Sequence, residues 1–173
     1  MSFLRSVPEE LSSRRVEKAS MEETNAPNRT LLIVGGSSLA IIAALVLGVG
    51  LGSHLVLRHI VQTLPSWVAV ILSFRRSRAA GWVALPLFSF WFVIMVFIWL
   101  YLLGIARLVS GHFTLLEIAM TIIVGIASVT GTWASIRLRS FVAPWRATAI
   151  FLIFAALQLA CFRLSLLPGI AHR

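Results

Sequence analysis

The chain has 173 residues, of which 59% are apolar, and it carries a formal net charge of +9. Soluble domains have an apolar share of about 45–50%, and one membrane-spanning helix needs about 20 apolar residues, so the composition predicts roughly five spans. Asp is absent and Cys161 is the only cysteine, which excludes disulfide scaffolds, cysteine-based zinc sites and aspartate-dependent catalysis.

The positive charge is unevenly distributed along the chain. Residues 1–30 contain five basic and five acidic residues, whereas residues 31–173 contain ten arginines and a single acid, Glu117. These arginines lie between apolar runs, a pattern typical of membrane topology signals, so we predict no nucleic-acid binding. The use of fourteen Arg and one Lys favours a bacterial source, and hence a bacterial inner membrane.

The polar segment 1–30 is predicted to be a cytoplasmic tail that precedes a transmembrane helical domain over 31–173. Its mixture of acids and bases argues against a signal peptide. Ser6 and Glu9 have the spacing of a capping box and Pro8 lies in the first turn, which predicts a short helix over residues 7–23.

Five apolar segments follow in chain order. The predicted spans are 31–52, 53–74, 82–103, 114–135 and 147–167. The second is interrupted by polar residues, and only 16 residues separate Arg58 from Arg75, roughly 24 Å of helix. It either crosses the bilayer, with Arg58 extending to the headgroups, or forms an interfacial or re-entrant helix that leaves four spans.

The arginine positions distinguish five spans from four. If segment 53–74 crosses, the basic residues of the tail and of the loops 75–78 and 137–146 all lie on one side, as the positive-inside rule requires of the cytoplasm. If it does not cross, the same residues are divided between both sides. We therefore predict an all-α integral membrane bundle of five transmembrane helices, with a cytoplasmic N-terminus and a C-terminus outside.

The first span carries a small residue at every fourth position: Gly36, Ala40, Ala44, Gly48 and Gly52. Such a row lets another helix approach closely, because helix association in lipid depends on packing. We predict that this small-residue stripe packs against a helix of this chain, a second copy or another membrane protein.

The five-span topology places a polar cluster at the outer face. Its members are Glu117, Arg58, Arg107, Arg163, His54, His59 and His112. A carboxylate near the bilayer centre costs up to about 3 kcal/mol, so Glu117 is expected to pair with one of these arginines. The alternative is a metal site or a proton relay formed by Glu117 and the histidines, although their spacing matches no metal motif.

Four polar residues are predicted at mid-membrane depth, where such side chains form hydrogen bonds between helices. They are Gln62, Thr121, Ser128 and Gln158.

The sequence contains no phosphate-binding loop, nucleophile elbow or zinc-protease motif. We therefore expect no catalytic residue, metal or cofactor. The leading functional prediction is a non-enzymatic accessory, assembly or structural subunit that packs against other membrane helices. The alternative is a small transporter or channel that uses the polar cluster around Glu117.

Overall fold

The computed structural model describes residues 28–52, 54–77, 79–106, 113–138 and 143–171, and within these ranges the chain is helical and has no strands. Five long helices are apolar enough to cross a membrane: α1 Asn28–Gly50, α2 Val56–Phe74, α3 Ala80–Leu102, α4 Leu115–Arg137 and α5 Pro144–Ser165. A short helix, α6 Pro168–Ala171, follows them. The predicted all-α bundle with five candidate spans is confirmed, and the predicted span limits differ from the helix limits by three residues or fewer. The tail helix over residues 7–23 lies outside the described residues.

The second helix has its polar side chains inside and its apolar side chains outside. His59, Gln62, Thr63, Ser66 and Ser73 are buried and recur at intervals of one helical turn or two. The opposite face is exposed and apolar: Leu57, Ile60, Leu64, Trp67, Ile71 and Phe74. This is the reverse of a soluble amphipathic helix and suits a helix whose outer face contacts lipid. This segment forms one continuous helix of 19 residues, which is long and apolar enough to cross a membrane.

Contacts between neighbouring helices show that successive helices run in opposite directions. A Cβ on Gly35 of α1 would lie 3.1 Å from Ser73 Cβ near the end of α2. A Cβ on Gly81, near the start of α3, would lie 3.1 Å from the backbone oxygen of Ser135 near the end of α4. Gln62 in the first half of α2 hydrogen-bonds Ser165 at the end of α5.

The bundle therefore has two chemically different ends. The first, called here the arginine end, carries five exposed arginines among the described residues: Arg29, Arg75, Arg76, Arg137 and Arg146. The other, called here the histidine end, carries a mixed set: His54, Arg58, His59, Glu117 and Arg163.

The core is centred on α3, which packs against α2, α4 and α5. Its buried side chains include Leu87, Phe88 and Trp91. Within the described ranges α4 and α5 make no contact with each other, so α3 separates them. The last seven residues of α1, Ala44–Gly50, form a π-helix that contacts α2 and α4.

A polar pocket at the histidine end

All five long helices contribute side chains to one cavity of about 480 Å³. Its wall is mostly apolar, and includes Leu45 of α1, Trp91 of α3 and Phe162 of α5. Its polar lining comes from two helices: Arg58, His59 and Gln62 of α2, and Glu117 and Thr121 of α4. The volume lies within the range of about 300–1,000 Å³ that is usual for small-molecule sites.

A chain of hydrogen bonds fixes His59 at the wall of this pocket. The His59 Nδ1 atom lies 3.1 Å from Gln62 Oε1, and Gln62 Nε2 donates to Ser165 Oγ at 2.9 Å. The Ser165 hydroxyl donates in turn to the Phe162 carbonyl at 2.6 Å. Because Gln62 Oε1 only accepts, the hydrogen-bond network assigns a proton to His59 Nδ1.

A second hydrogen bond joins α2 and α5, the helices that the Gln62–Ser165 hydrogen bond also connects. Gln158 is fully buried, and its Nε2 donates to the backbone oxygen of Gln62 at 3.1 Å. Gln62 and Gln158 therefore form hydrogen bonds between helices, as the sequence predicted. Thr121 differs, since its hydroxyl donates to Ile118 of its own helix at 2.7 Å.

Glu117 is held by the start of its own helix. Its Oε2 accepts from the Thr114 backbone N–H at 2.8 Å and from the Thr114 hydroxyl at 3.0 Å, while Thr114 Oγ1 accepts from the Glu117 N–H at 3.2 Å. This reciprocal capping box also places the carboxylate at the positive end of the α4 dipole. The carboxylate is thereby stabilised by local contacts, a role that the sequence analysis did not assign to Glu117.

The predicted polar cluster is brought together only in part. Arg58, His59 and Glu117 line the same pocket. His54 is exposed in the turn after α1, where its φ is 58°, and Arg163 is exposed on α5. Arg107 and His112 lie outside the described residues. Among the described residues, no three His, Cys, Asp or Glu side chains come close enough to hold a metal ion.

Two buried nitrogen donors of the pocket lack a hydrogen-bond partner within the described part of the chain. They are Arg58 Nε and Trp91 Nε1. The Trp91 side chain is 3% exposed, so water does not reach its N–H freely. Buried donors are usually paired, and an unpaired one costs about 1–3 kcal/mol. Both donors are enclosed by the surrounding side chains and lie beside the pocket without facing its open space.

The small-residue stripe packs partly inside the chain. A Cβ on Gly48 would overlap the side chain of Met120 on α4, and one on Gly52 would lie 3.7 Å from Leu116 Cδ2. Ala44 is buried and Ala40 packs against the core. Gly36, in contrast, is exposed, and a Cβ added to it would meet nothing within 4 Å.

Sequence reasoning did not single out Ser165 or Trp91 as members of this site. A signal for Ser165 exists, because Gln158, Cys161 and Ser165 follow the spacing of one helix face and all three are buried. No comparable signal exists for Trp91, which is one of many aromatic residues in α3. Its place at the pocket follows from helix packing alone.

Comparisons of the chain with protein-family models, with curated proteins and with solved structures find no match.

Proposed function

We propose that this chain is a small multi-pass membrane protein that binds a small ligand in the pocket at its histidine end, as a transporter-type protein and not as an enzyme. The observation that carries this proposal is the pocket itself, which all five long helices line and which contains charged and polar side chains at one end. In membrane proteins, ionisable residues that face the bundle interior mark ligand and ion sites.

The π-helix of α1 supports the same proposal. Leu45 and Val49, which line the pocket, both belong to the π-helical segment Ala44–Gly50. Single π-helical turns within longer helices occur frequently at functional sites.

The geometry favours a ligand-binding role over an accessory role. The accessory role depends on an open face of small residues, and α4 covers that face at Gly48 and approaches it at Gly52. Of the small-residue stripe, the surface around Gly36 remains uncovered and could contact a second copy of the chain or another membrane protein.

We propose further that the arginine end faces the cytoplasm of a bacterial cell, so that the N-terminus is inside and the C-terminus outside. Five of the described arginines lie at that end, against two at the histidine end. The Arg137 guanidinium lies 4.4 Å from the Trp133 ring centroid and that of Arg146 lies 5.1 Å from Trp145. Tryptophans beside arginines are typical of a membrane interface.

Ligand binding is tested with the full chain in lipid nanodiscs and two radiolabelled single-chain probes, dodecanoate and dodecan-1-ol. We expect saturable binding of at least one probe above that of empty nanodiscs. Ile98→Trp places a larger side chain in the pocket, where Ile98 is half-buried, and is expected to abolish that binding. The matched control is Val93→Trp on the outer face of α3, where Val93 is 47% exposed.

The absence of saturable binding for both probes would contradict the proposed function. So would equal losses for Ile98→Trp and Val93→Trp, because they would show that the pocket is not where the probe binds.

A further inference from the structure

Two opposite charges line the pocket from separate helices. Arg58 is the third residue of α2 and Glu117 is the third residue of α4, so both lie close to the histidine end. Within the described ranges α2 and α4 do not pack against each other, and each packs instead against α1 and α3. Because both side chains line the same cavity, they belong to separate walls of it at a similar depth.

The two charges do not neutralise each other by direct contact. Among the described residues, no ion pair joins the Arg58 guanidinium to the Glu117 carboxylate. Glu117 Oε2 accepts both hydrogen bonds from Thr114, which leaves Oε1 without a partner in the described part of the chain. Of the Arg58 guanidinium nitrogens, only Nε is enclosed and unpaired within the described ranges, so the two terminal nitrogens are left to contact a ligand.

The other polar residues of the pocket are less accessible. Gln62 and Thr121 are buried, and both side chains already form hydrogen bonds to the protein. His59 is also buried, with its Nδ1 held by Gln62. Arg58 and Glu117, in contrast, are half-buried. A ligand that enters the pocket therefore meets one positive and one negative group, whose charges balance.

Beyond these charges the wall of the pocket is apolar. Trp91 lies eleven residues before the end of α3, roughly 16 Å from that end at about 1.5 Å per residue. Ile94, Met95 and Val124 line the cavity with it. A hydrocarbon chain matches this inner part, because a polar group placed there without a hydrogen-bond partner costs free energy.

We infer that the pocket binds a single-chain amphiphile with a zwitterionic head group, whose anionic part lies at Arg58 and whose cationic part lies at Glu117. This inference rests on the proposed function and specifies the class of ligand. A head group with one charge is a poorer match, because it leaves either Arg58 or Glu117 uncompensated in a half-buried site. A two-chain phospholipid is also a poorer match, because the cavity has the volume of a site for one small molecule.

The experiment measures dissociation constants in nanodiscs for three radiolabelled probes with chains of equal length: 2-aminododecanoate, dodecanoate and dodecan-1-amine. At mildly alkaline pH the carboxylates are ionised and the amines stay protonated, so the probes are a zwitterion, an anion and a cation. Each variant is compared with the unmodified chain for the same probe, so differences in partitioning between probes cancel.

The variants are Arg58→Gln and Glu117→Gln, and the control is Arg163→Gln, an exposed arginine at the same end of the bundle. Glu117→Gln retains an acceptor for the capping box of α4. Because each variant is expected to keep its binding of one charged probe, that probe also reports that the variant is folded.

Arg58→Gln and Glu117→Gln are each expected to weaken binding of 2-aminododecanoate by about tenfold, the effect of losing one charge-assisted hydrogen bond. Arg58→Gln is expected to weaken dodecanoate by about tenfold and not to weaken dodecan-1-amine. Glu117→Gln is expected to weaken dodecan-1-amine by about tenfold and not to weaken dodecanoate. Arg163→Gln is expected to change none of the three. Glycine, a zwitterion without a chain, is expected not to displace 2-aminododecanoate.

Equal losses of dodecanoate and dodecan-1-amine in Arg58→Gln would overturn the anionic contact at Arg58, and equal losses of these probes in Glu117→Gln would overturn the cationic contact at Glu117. A loss of dodecanoate in Arg163→Gln as large as in Arg58→Gln would also overturn the contact at Arg58. Displacement by glycine would overturn the need for a chain. In each case saturable binding that Ile98→Trp abolishes would still support the proposed function, whereas no saturable binding of any probe would contradict both proposals.

Discussion

The two ends of the bundle are built from the same five helices but differ in how their interiors are filled. Towards the arginine end, small residues let helices approach closely: Gly35 lies against Ser73, and Gly81 against the backbone of Ser135. Between the middle of the bundle and the histidine end, larger side chains such as Trp91 and Phe162 surround a cavity. Close packing at one end thus coexists with an open site at the other.

The unpartnered polar atoms of the two ends also differ. In the half nearer the arginine end they are the hydroxyls of Ser73, Ser128 and Ser135, small groups that rotate to suit a neighbour. At the histidine end and in the middle of the bundle they include Arg58 Nε and Trp91 Nε1, each of which belongs to a planar group. The two ends therefore differ in the chemistry of the buried polar atoms that helix packing leaves unpaired.

The largest expected effect concerns the side of the membrane on which each end lies. In a chain with Cys161→Ala, Arg75→Cys at the arginine end should react with an impermeant maleimide only after the cells are permeabilised. Arg163→Cys at the histidine end should react in intact cells, because both sites are exposed but lie at opposite ends. Labelling of both cysteines from the same side of the membrane would contradict the five-span topology. If instead Arg75→Cys reacts in intact cells and Arg163→Cys only after permeabilisation, the chain is oriented with its arginine end outside.

The next effect tests the close packing. A Cβ on Gly131 would overlap the ring of Phe88, which is 1% exposed, so Gly131→Leu should lower the free energy of unfolding by about 1–3 kcal/mol or more. Gly125→Leu is the matched control on the same helix, because nothing lies within 4 Å of a Cβ there. Titration with sodium dodecyl sulfate in mixed micelles measures the free energy of unfolding of both variants. Equal values would show that α4 does not pack closely against Phe88 at Gly131.

A smaller effect is expected from the hydrogen bonds between α2 and α5. Gln62→Leu removes the acceptor of His59 and the donor to Ser165, and should lower the free energy of unfolding by about 1–2 kcal/mol. Ser89→Ala is the control, since its hydroxyl bonds only within its own helix. If Gln62→Leu and Ser89→Ala lower the free energy of unfolding equally in the same titration, the hydrogen bonds of Gln62 do not stabilise the packing of α2 against α5.

The smallest effect concerns the capping box of α4. Thr114→Ala removes the side-chain contacts with Glu117 and should lower the free energy of unfolding by about 0.5–1 kcal/mol, as for an exposed N-cap. Thr114→Ser should keep most of the stability because it retains the hydroxyl. Equal stability of the alanine and serine variants would indicate that the cap does not stabilise α4.

The sequence predicted the helices more fully than the site. Long apolar runs and flanking arginines located five spans to within three residues of the observed helix limits, and Gln62 and Gln158 were correctly expected to bond between helices. The partner of Gly48 was not predictable, since one row of small residues fits any helix, inside or outside the chain. Nor was Trp91, because no pattern in α3 distinguishes it from its aromatic neighbours.

The sequence by itself determined that the chain forms apolar helices, because a backbone in lipid has to satisfy its hydrogen bonds within each segment. It also determined where the arginines and the polar side chains lie along those helices. Only the tertiary structure decided that Arg58, Glu117 and Trp91, from three helices, line one pocket. Their convergence depends on the rotation and crossing of whole helices, which the packing of distant residues sets.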